Sequence, residues 1–300
     1  MAYHEPVLLD ESINGLQVNP DGTYVDATFG GSGHSLAILQ QLKKGRLLAF
    51  DQDQQARANA FKDKRFTFIR GNFRFLKNFL RYHGVEEIDG VLADLGVSSH
   101  HFDEAERGFS FRFPAPLDMR MNQHAALHAG MVVNTYPEEK ILKIFREYGE
   151  VKEAKKLTRR IMEVRNTKKI ETTRDLIDAL SGIIPVKQEN KFLAKVFQAL
   201  RIEVNAELES LGELLEQATQ LLKPGGRLAF ITYHSLEDRM VKNFFKSGNF
   251  SGIQEKDLFG NVLAPLHPVN KNVITPGKKE LEENPRSRSA KLRIAEKIEQ

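Results

Sequence analysis

A glycine-bearing turn between a strand and a helix constrains this chain more than any other feature. Thr23-Tyr24-Val25-Asp26-Ala27 is β-prone, Thr28-Phe29-Gly30-Gly31-Ser32-Gly33 comes next, and Leu36, Leu39 and Leu42 then fall on one helical stripe. Glycines in such a turn let backbone N–H groups approach a ligand closely, because no Cβ stands in the way. Ordinary strand-to-helix connections use the same residues, so the turn alone is weak evidence. An acid on the neighbouring strand gives it weight. Arg46-Leu47-Leu48-Ala49-Phe50 reads as a second strand with Asp51 at its tip, 18 residues past Gly33. A carboxylate there can accept both hydroxyls of a ribose.

The rhythm continues with a helix through Ala56 and Ala60, a third strand at Phe66-Thr67-Phe68-Ile69 and a further helix. A fourth strand, Ile88 to Ala93, stops at Asp94-Leu95-Gly96. Repeated β–α units with short connections predict a parallel sheet covered by helices. From Glu104 the pattern changes. Residues 104–121 read as an ordered loop, and from Pro137 to about Leu200 the chain is helical. Val151, Ala154, Leu157, Ile161 and Val164 form its apolar stripe. Phe197 to Leu222 reads as one long helix, Arg227 to Ile231 as a fifth strand and Ala290 to Ala295 as a last one. The expected division is 1–104 with 198–300 as an α/β domain with a mostly parallel sheet, and 105–197 as an inserted all-α domain.

Composition narrows the function. Without a single cysteine, disulfides, thiolate zinc sites and cysteine nucleophiles are excluded, and a reducing cytoplasm fits. No apolar run approaches the roughly 20 residues of a membrane helix, and the first residues lack the pattern of a secretory signal. The expectation is a cytoplasmic protein without membrane contact. The net charge of +4 is small, but its distribution is uneven. Nine basic residues against three acids lie between Lys152 and Arg174, and Arg286, Arg288, Lys291 and Arg293 form a second basic run. Two such regions point to a polyanion, although a solvated helix face and a basic tail would look the same.

The glycine turn also discriminates between cofactors. Gly31-Ser32-Gly33-His34-Ser35-Leu36 puts Leu36 where a dinucleotide fingerprint needs a third glycine. Asp26, ending the first strand, would repel a pyrophosphate and suits the ammonium and sulfonium of S-adenosylmethionine. Gly71-Asn72-Phe73 ends the third strand, and Phe73 is a candidate adenine contact, with plain core packing as the alternative. Asp94 faces the crevice outside the strand ends and is the first catalytic candidate, weighed against a plain helix-capping role. The exocyclic amine of a nucleobase is a poor nucleophile because its lone pair is conjugated into the ring. A carboxylate or backbone carbonyl accepting its N–H bonds favours the pyramidal geometry that attacks. His234, in Thr232-Tyr233-His234-Ser235-Leu236-Glu237-Asp238-Arg239, is the second catalytic candidate, weighed against a structural hydrogen bond beside a helix start capped by Ser235. His100-His101-Asp103 and the pair His124 and His128 lack a third ligand at recognisable spacing, so no metal is expected.

Several segments then carry a resemblance. His4-Glu5-Pro6-Val7-Leu8-Leu9-Asp10-Glu11, Thr28 to Ser35, Asp94-Leu95-Gly96-Val97-Ser98-Ser99 and Glu106-Arg107-Gly108-Phe109-Ser110-Phe111 occur in order. Pro116-Leu117-Asp118-Met119-Arg120-Met121, Phe197-Gln198-Ala199-Leu200-Arg201, His234 to Arg239 and Asn284-Pro285-Arg286-Ser287-Arg288-Ser289 complete the series. From end to end the chain closely resembles the RsmH (MraW) family of bacterial ribosomal RNA methyltransferases. The resemblance implies a class I, Rossmann-like methyltransferase fold with an inserted helical substrate-recognition domain. It implies N4-methylation of one cytidine in the decoding region of 16S ribosomal RNA in the small subunit, and it points to a homodimer. By position, the family's cofactor contacts fall on Ser32, Gly33 and His34, then on Asp51, Phe73 and Asp94, beside Gly31 of the turn. His101 stands where the family usually has a glutamine, so there the contact is replaced or lost. A base-modifying enzyme must extrude its nucleotide, so the basic segments are expected to hold phosphates while Phe109, Phe111 or Phe113 stacks on a base. DNA is disfavoured, because Asp94-Leu95-Gly96-Val97 replaces the Asp/Asn-Pro-Pro-aromatic run of DNA amino-methyltransferases. A small-molecule methyltransferase and a non-catalytic RNA-binding assembly factor are the other readings.

Overall fold

A computed structural model describes residues 6–96, 105–184, 186–260 and 262–299. The chain divides into two compact units, Met1–Gly96 with Leu208–Gln300, and Val97–Glu207. The expected boundary at 197/198 falls inside a continuous helix, Glu189–Asn205.

The first unit is built on seven strands: β1 (Thr23–Asp26), β2 (Arg46–Asp51), β3 (Phe66–Arg70), β4 (Ile88–Asp94), β5 (Leu222–Thr232), β6 (Leu266–Pro268) and β7 (Lys291–Lys297). Their order is β3-β2-β1-β4-β5-β7-β6. β1 to β5 pair in parallel, and only β7 is reversed, antiparallel to both β5 and β6. Alternate side chains of each strand feed opposite faces of the sheet. Leu48 and Phe50 join Val91, Leu228 and Phe230 in one core cluster. Leu47 and Ala49 join Leu92, Ala229 and Ile231 in the other. Both faces are therefore covered, which is why these strands read as continuous apolar runs.

Helices α1 (Leu9–Leu16), α2 (Gly33–Gln41) and α3 (Leu76–Tyr82) belong to the first half of this unit. The helix expected through Ala56 and Ala60 is only a five-residue 3-10 turn, Gln55–Asn59, which Asp53 opens by accepting the Gln55 N–H at 2.9 Å. The second unit carries α4 (Ala129–Thr135), α5 (Glu138–Glu147), α6 (Ala154–Arg165), α7 (Thr173–Ala179) and α8 (Glu189–Asn205). They enclose their own core, with Val132, Phe145, Leu157, Ile161, Val196 and Leu200 fully buried. The expected long helix from Phe197 to Leu222 is two helices. Ala206 adopts φ +48°, ends α8, and α9 (Glu207–Leu221) starts afresh. The last helices are α10 (Ser235–Ser247) and α11 (Lys278–Glu283). Among the described residues no helix is long and apolar enough to cross a membrane.

Candidate active site

Strand order reverses direction at β1 and β4, and the crevice outside such a switch point is where open α/β sheets take their ligands. Three strands end there or beside it in an acid: β1 in Asp26, β2 in Asp51 and β4 in Asp94. The three carboxylates have different roles.

The glycine turn comes first. Gly30 has φ +45° and Ser32 φ +69°, so the turn holds a serine in the left-handed region that favours glycine. A Cβ on Gly33 would lie 2.1 Å from Cγ of Pro6, so packing requires glycine there. A Cβ on Gly31 would meet nothing within 4 Å. Among the described residues, packing does not demand a bare backbone at Gly31.

Asp51 closes this turn from the neighbouring strand. Its Oδ2 accepts the Gly30 N–H at 2.9 Å and its Oδ1 the Asp53 N–H at 2.8 Å. Each oxygen keeps a second lone pair for an outside donor. Burial pushes the Asp51 carboxyl up to about 6, against the two backbone bonds that lower it.

Asp26 departs from expectation. Rather than facing an ammonium or sulfonium, it is fully buried, its Oδ2 accepting the Ser35 hydroxyl at 2.6 Å and its Oδ1 the Thr28 N–H at 2.9 Å. It pins the loop to the first turn of α2, and burial raises its carboxyl above the ordinary range. The reason is local: the serine that occupies it lies nine residues on, inside the helix.

Asp94, like Asp51, is left partly open, with 24% of its side chain exposed. Its N–H donates to Thr28 Oγ1 at 2.6 Å, which ties β4 to the loop after β1. Tyr233 Oη donates to its Oδ1 at 2.7 Å. His34 Nε2 donates to the Val7 carbonyl at 3.0 Å, so Nδ1 is the other ring nitrogen, 3.9 Å from Asp94 Oδ2. Burial pushes the Asp94 carboxyl up to about 6, while His34 and the Tyr233 hydroxyl pull it down. Thus Asp94, His34, Thr28 and Tyr233 form one cluster, and Gly30 links Asp51 to the same turn.

Phe73 opens a short 3-10 turn, Phe73–Phe75, directly after β3, and its ring packs partly on the sheet core. Asn72 holds that turn by accepting the Arg74 N–H at 2.9 Å. His234 takes a local role: it, and not Ser235, is the N-cap of α10, with Nδ1 accepting the Glu237 N–H at 3.4 Å. Its Nε2 lies 3.1 Å from Glu237 Oε1, and the side chain is 8% exposed. His101 lies outside the described residues, as do Ser98 and Ser99. Tyr233 and Thr28 are site residues that the sequence alone does not single out.

The basic segments divide as well. On and beside α6, Lys152, Lys155, Lys156 and Arg159 are exposed and form no ion pair among the described residues. Arg165 is spent on the carbonyls of Val133 and Tyr136, and Lys168 pairs with Asp175 at 2.6 Å. In the C-terminal run, Lys291 and Arg293 are strand residues of β7 paired with Asp238 at 3.2 and 2.7 Å. Of the three candidate stacking rings, Phe109 is buried and Phe111 packs edge-on against Phe197; Phe113 is 52% exposed.

Sheet order, one reversed strand and the glycine turn are those of the Rossmann-like methyltransferases, which draw their methyl group from S-adenosylmethionine. More narrowly, the MraW methylase family model matches residues 1–298, and the chain belongs to that family. It is 58% identical over 298 residues to "Ribosomal RNA small subunit methyltransferase H" of Bacteroides thetaiotaomicron, covering 99% of this chain and 98% of that one. Its likeness to the protein of the same name from Flavobacterium johnsoniae is 54% over 299 residues, 99% of each. Among solved structures, an rRNA methylase from Streptococcus thermophilus aligns with TM-score 0.44 and 13% identity, covering 99% of this chain and 100% of that one.

Proposed function

We propose that this chain methylates N4 of a cytidine in the decoding region of 16S ribosomal RNA, with S-adenosylmethionine as donor. The observation that carries the reading is Asp94: a carboxylate at the end of β4, partly open, held by Thr28 and Tyr233 beside the glycine turn. The names of relatives more than half identical to it, ribosomal RNA small subunit methyltransferase H, support the substrate class.

The residues present fit the donor. Asp51 has acceptor capacity left for two ribose hydroxyls, Gly31 leaves the backbone clear, and Ser32, Gly33 and His34 start the helix of the β–α unit. Phe73 supplies an aromatic face for the adenine at the end of the adjacent strand. The donor brings a methyl group on a positively charged sulfur. The protein's part is to align the amine and to take up charge. Asp94 accepts an N–H of the cytosine amine and so frees its lone pair for attack. As the nitrogen–carbon bond forms and the carbon–sulfur bond breaks, the amine becomes cationic and one of its protons passes to Asp94. With a carboxyl near 6, Asp94 is ionised at neutral pH yet basic enough to receive that proton. The helical unit serves as the RNA grip, its exposed cations on α6 meeting phosphates.

The test is transfer from labelled donor to small ribosomal subunits lacking the modification, followed by nucleoside mass spectrometry. N4-methylcytidine at a single position is expected. Label at another atom, or donor binding with no label in RNA, overturns the reading in favour of a different methyltransferase or a binding protein.

A further inference from the structure

Tyr233 is a residue of this cluster to which nothing in the chain's motifs assigns a role. It stands between β5 and α10, 139 positions from Asp94, and meets it because Ile231 pairs with Asp94 across the β4–β5 ladder. Two contacts fix it. Its N–H donates to Glu237 Oε2 at 2.9 Å, one residue ahead of the capping box that His234 and Glu237 form. Its ring lies against Gly96, whose φ is +106° and whose Cβ would stand 3.2 Å from Tyr233 Cδ2. The hydroxyl is thus delivered to Oδ1 by a side chain with little freedom. Two-atom acids are ambiguous bases, since either oxygen can rotate into use. Here the Tyr233 donor occupies Oδ1, and among the described residues the nearest partner of Oδ2 is His34 Nδ1 at 3.9 Å, beyond hydrogen-bonding distance.

We propose that Tyr233 is a positioning residue for methyl transfer: by donating to Oδ1 of Asp94 it fixes the carboxylate plane and commits Oδ2 to the substrate amine. The inference rests on the proposed role of Asp94 as the group that receives the amine. In the transfer step, one N4 proton moves to Oδ2 while the electron pair of the breaking carbon–sulfur bond stays on sulfur. Tyr233 keeps its own proton throughout, because burial and the adjacent carboxylate raise its phenol well above the ordinary value. A donor to the ionised carboxylate also favours that form, so the same bond sets the pH above which Asp94 can act. The titratable neighbours that share this control are His34 from α2, which favours ionisation, and Asp26 from β1 and Glu237 from α10, which oppose it.

Single-turnover transfer rates against pH, at saturating RNA and donor, test this with three variants. Tyr233→Phe removes the donor and keeps the ring. The maximal rate is expected to fall about tenfold with donor and RNA affinities little changed, as for a lost bond to a charged group. The acid limb should move to higher pH by roughly half to one unit, because the ionised form has lost its partner. Replacing Tyr233 with 3-fluorotyrosine keeps packing and strengthens the donor, so the limb should move to lower pH. Asp94→Asn should abolish both transfer and limb. Opposite movements in the first two variants support the proposal, whereas a limb that stays at the wild-type position in both overturns it. Wild-type transfer by Asp94→Asn would overturn the role of Asp94 itself, and with it the proposed mechanism.

Discussion

The sheet unit and the helical unit use charge in opposite ways. In the first, acids at strand ends are drawn inward: Asp26 is fully buried, and burial pushes Asp51 and Asp94 up to about 6. In the second, Lys152, Lys155, Lys156 and Arg159 stand in solvent without an ion pair among the described residues. A buried carboxylate is costly to the fold and is useful for what it can accept at one point in space. An exposed lysine costs almost nothing and acts through long-range attraction, which salt screens. The contrast teaches where sensitivity should lie: single atoms decide in the sheet unit, summed charge in the helical one.

The largest expected effect lies on the acid side. Asp94→Ala should lower the single-turnover rate by on the order of 10³, the scale of losing a positioned proton acceptor, while RNA affinity holds. Reversing Lys155, Lys156 and Arg159 together to glutamate should weaken RNA binding by about 10² at low salt and flatten its salt dependence by two to three charges. Filter binding across a salt series reads both. If instead the rate at saturating RNA collapsed, the division of labour between the units would break.

Asp51→Asn comes next, with donor affinity expected to fall about tenfold by calorimetry, because one acceptor of a ribose hydroxyl is weakened. RNA binding should be indifferent to it. A smaller effect concerns stability. Asp94 is raised from 3.8 unfolded to about 6 folded, so the folded state holds more protons between those values. Stability from this group therefore falls as pH rises through the window, and the cost is fully present above about 6. Asp94→Asn should be more stable than wild type at pH 8 by on the order of 2 kcal/mol, and the gain should shrink toward pH 4 in urea titrations. Smallest of all is Arg293→Gln, which loosens the pair with Asp238. It should cost about 1 kcal/mol or less and leave RNA affinity unchanged; weakened binding would restore β7 to the RNA grip.

The strand-end placement of several candidate residues is legible before folding, for a definable reason. Gly31, Gly33, Asp51 and Asp94 sit at or just past strand ends at short spacing, so their placement is local. Four other features rest on structure that strand ends do not announce. Tyr233 reaches Asp94 only after β4 and β5 pair. Asp26 looks open in the sequence because its partner Ser35 lies a turn into the next helix. Ala206 ends α8 at a left-handed residue although alanine favours helix, so nothing in the residue type marks the break. Lys291 and Arg293 look like a basic tail until β7 brings them to Asp238. His234 is the instructive intermediate: Glu237 three positions on already spells a capping box, with the cap one residue earlier than expected.

One experiment bears on the contrast most directly: single-turnover transfer at saturating RNA, comparing Asp94→Ala with the triple reversal at Lys155, Lys156 and Arg159. Asp94→Ala should bind donor and RNA yet transfer on the order of 10³ more slowly, while the triple variant, once saturated, recovers the full rate. Wild-type transfer by Asp94→Ala, or a saturated triple variant that stays slow, would contradict the assignment of chemistry to the strand-end acid and of grip to the exposed cations.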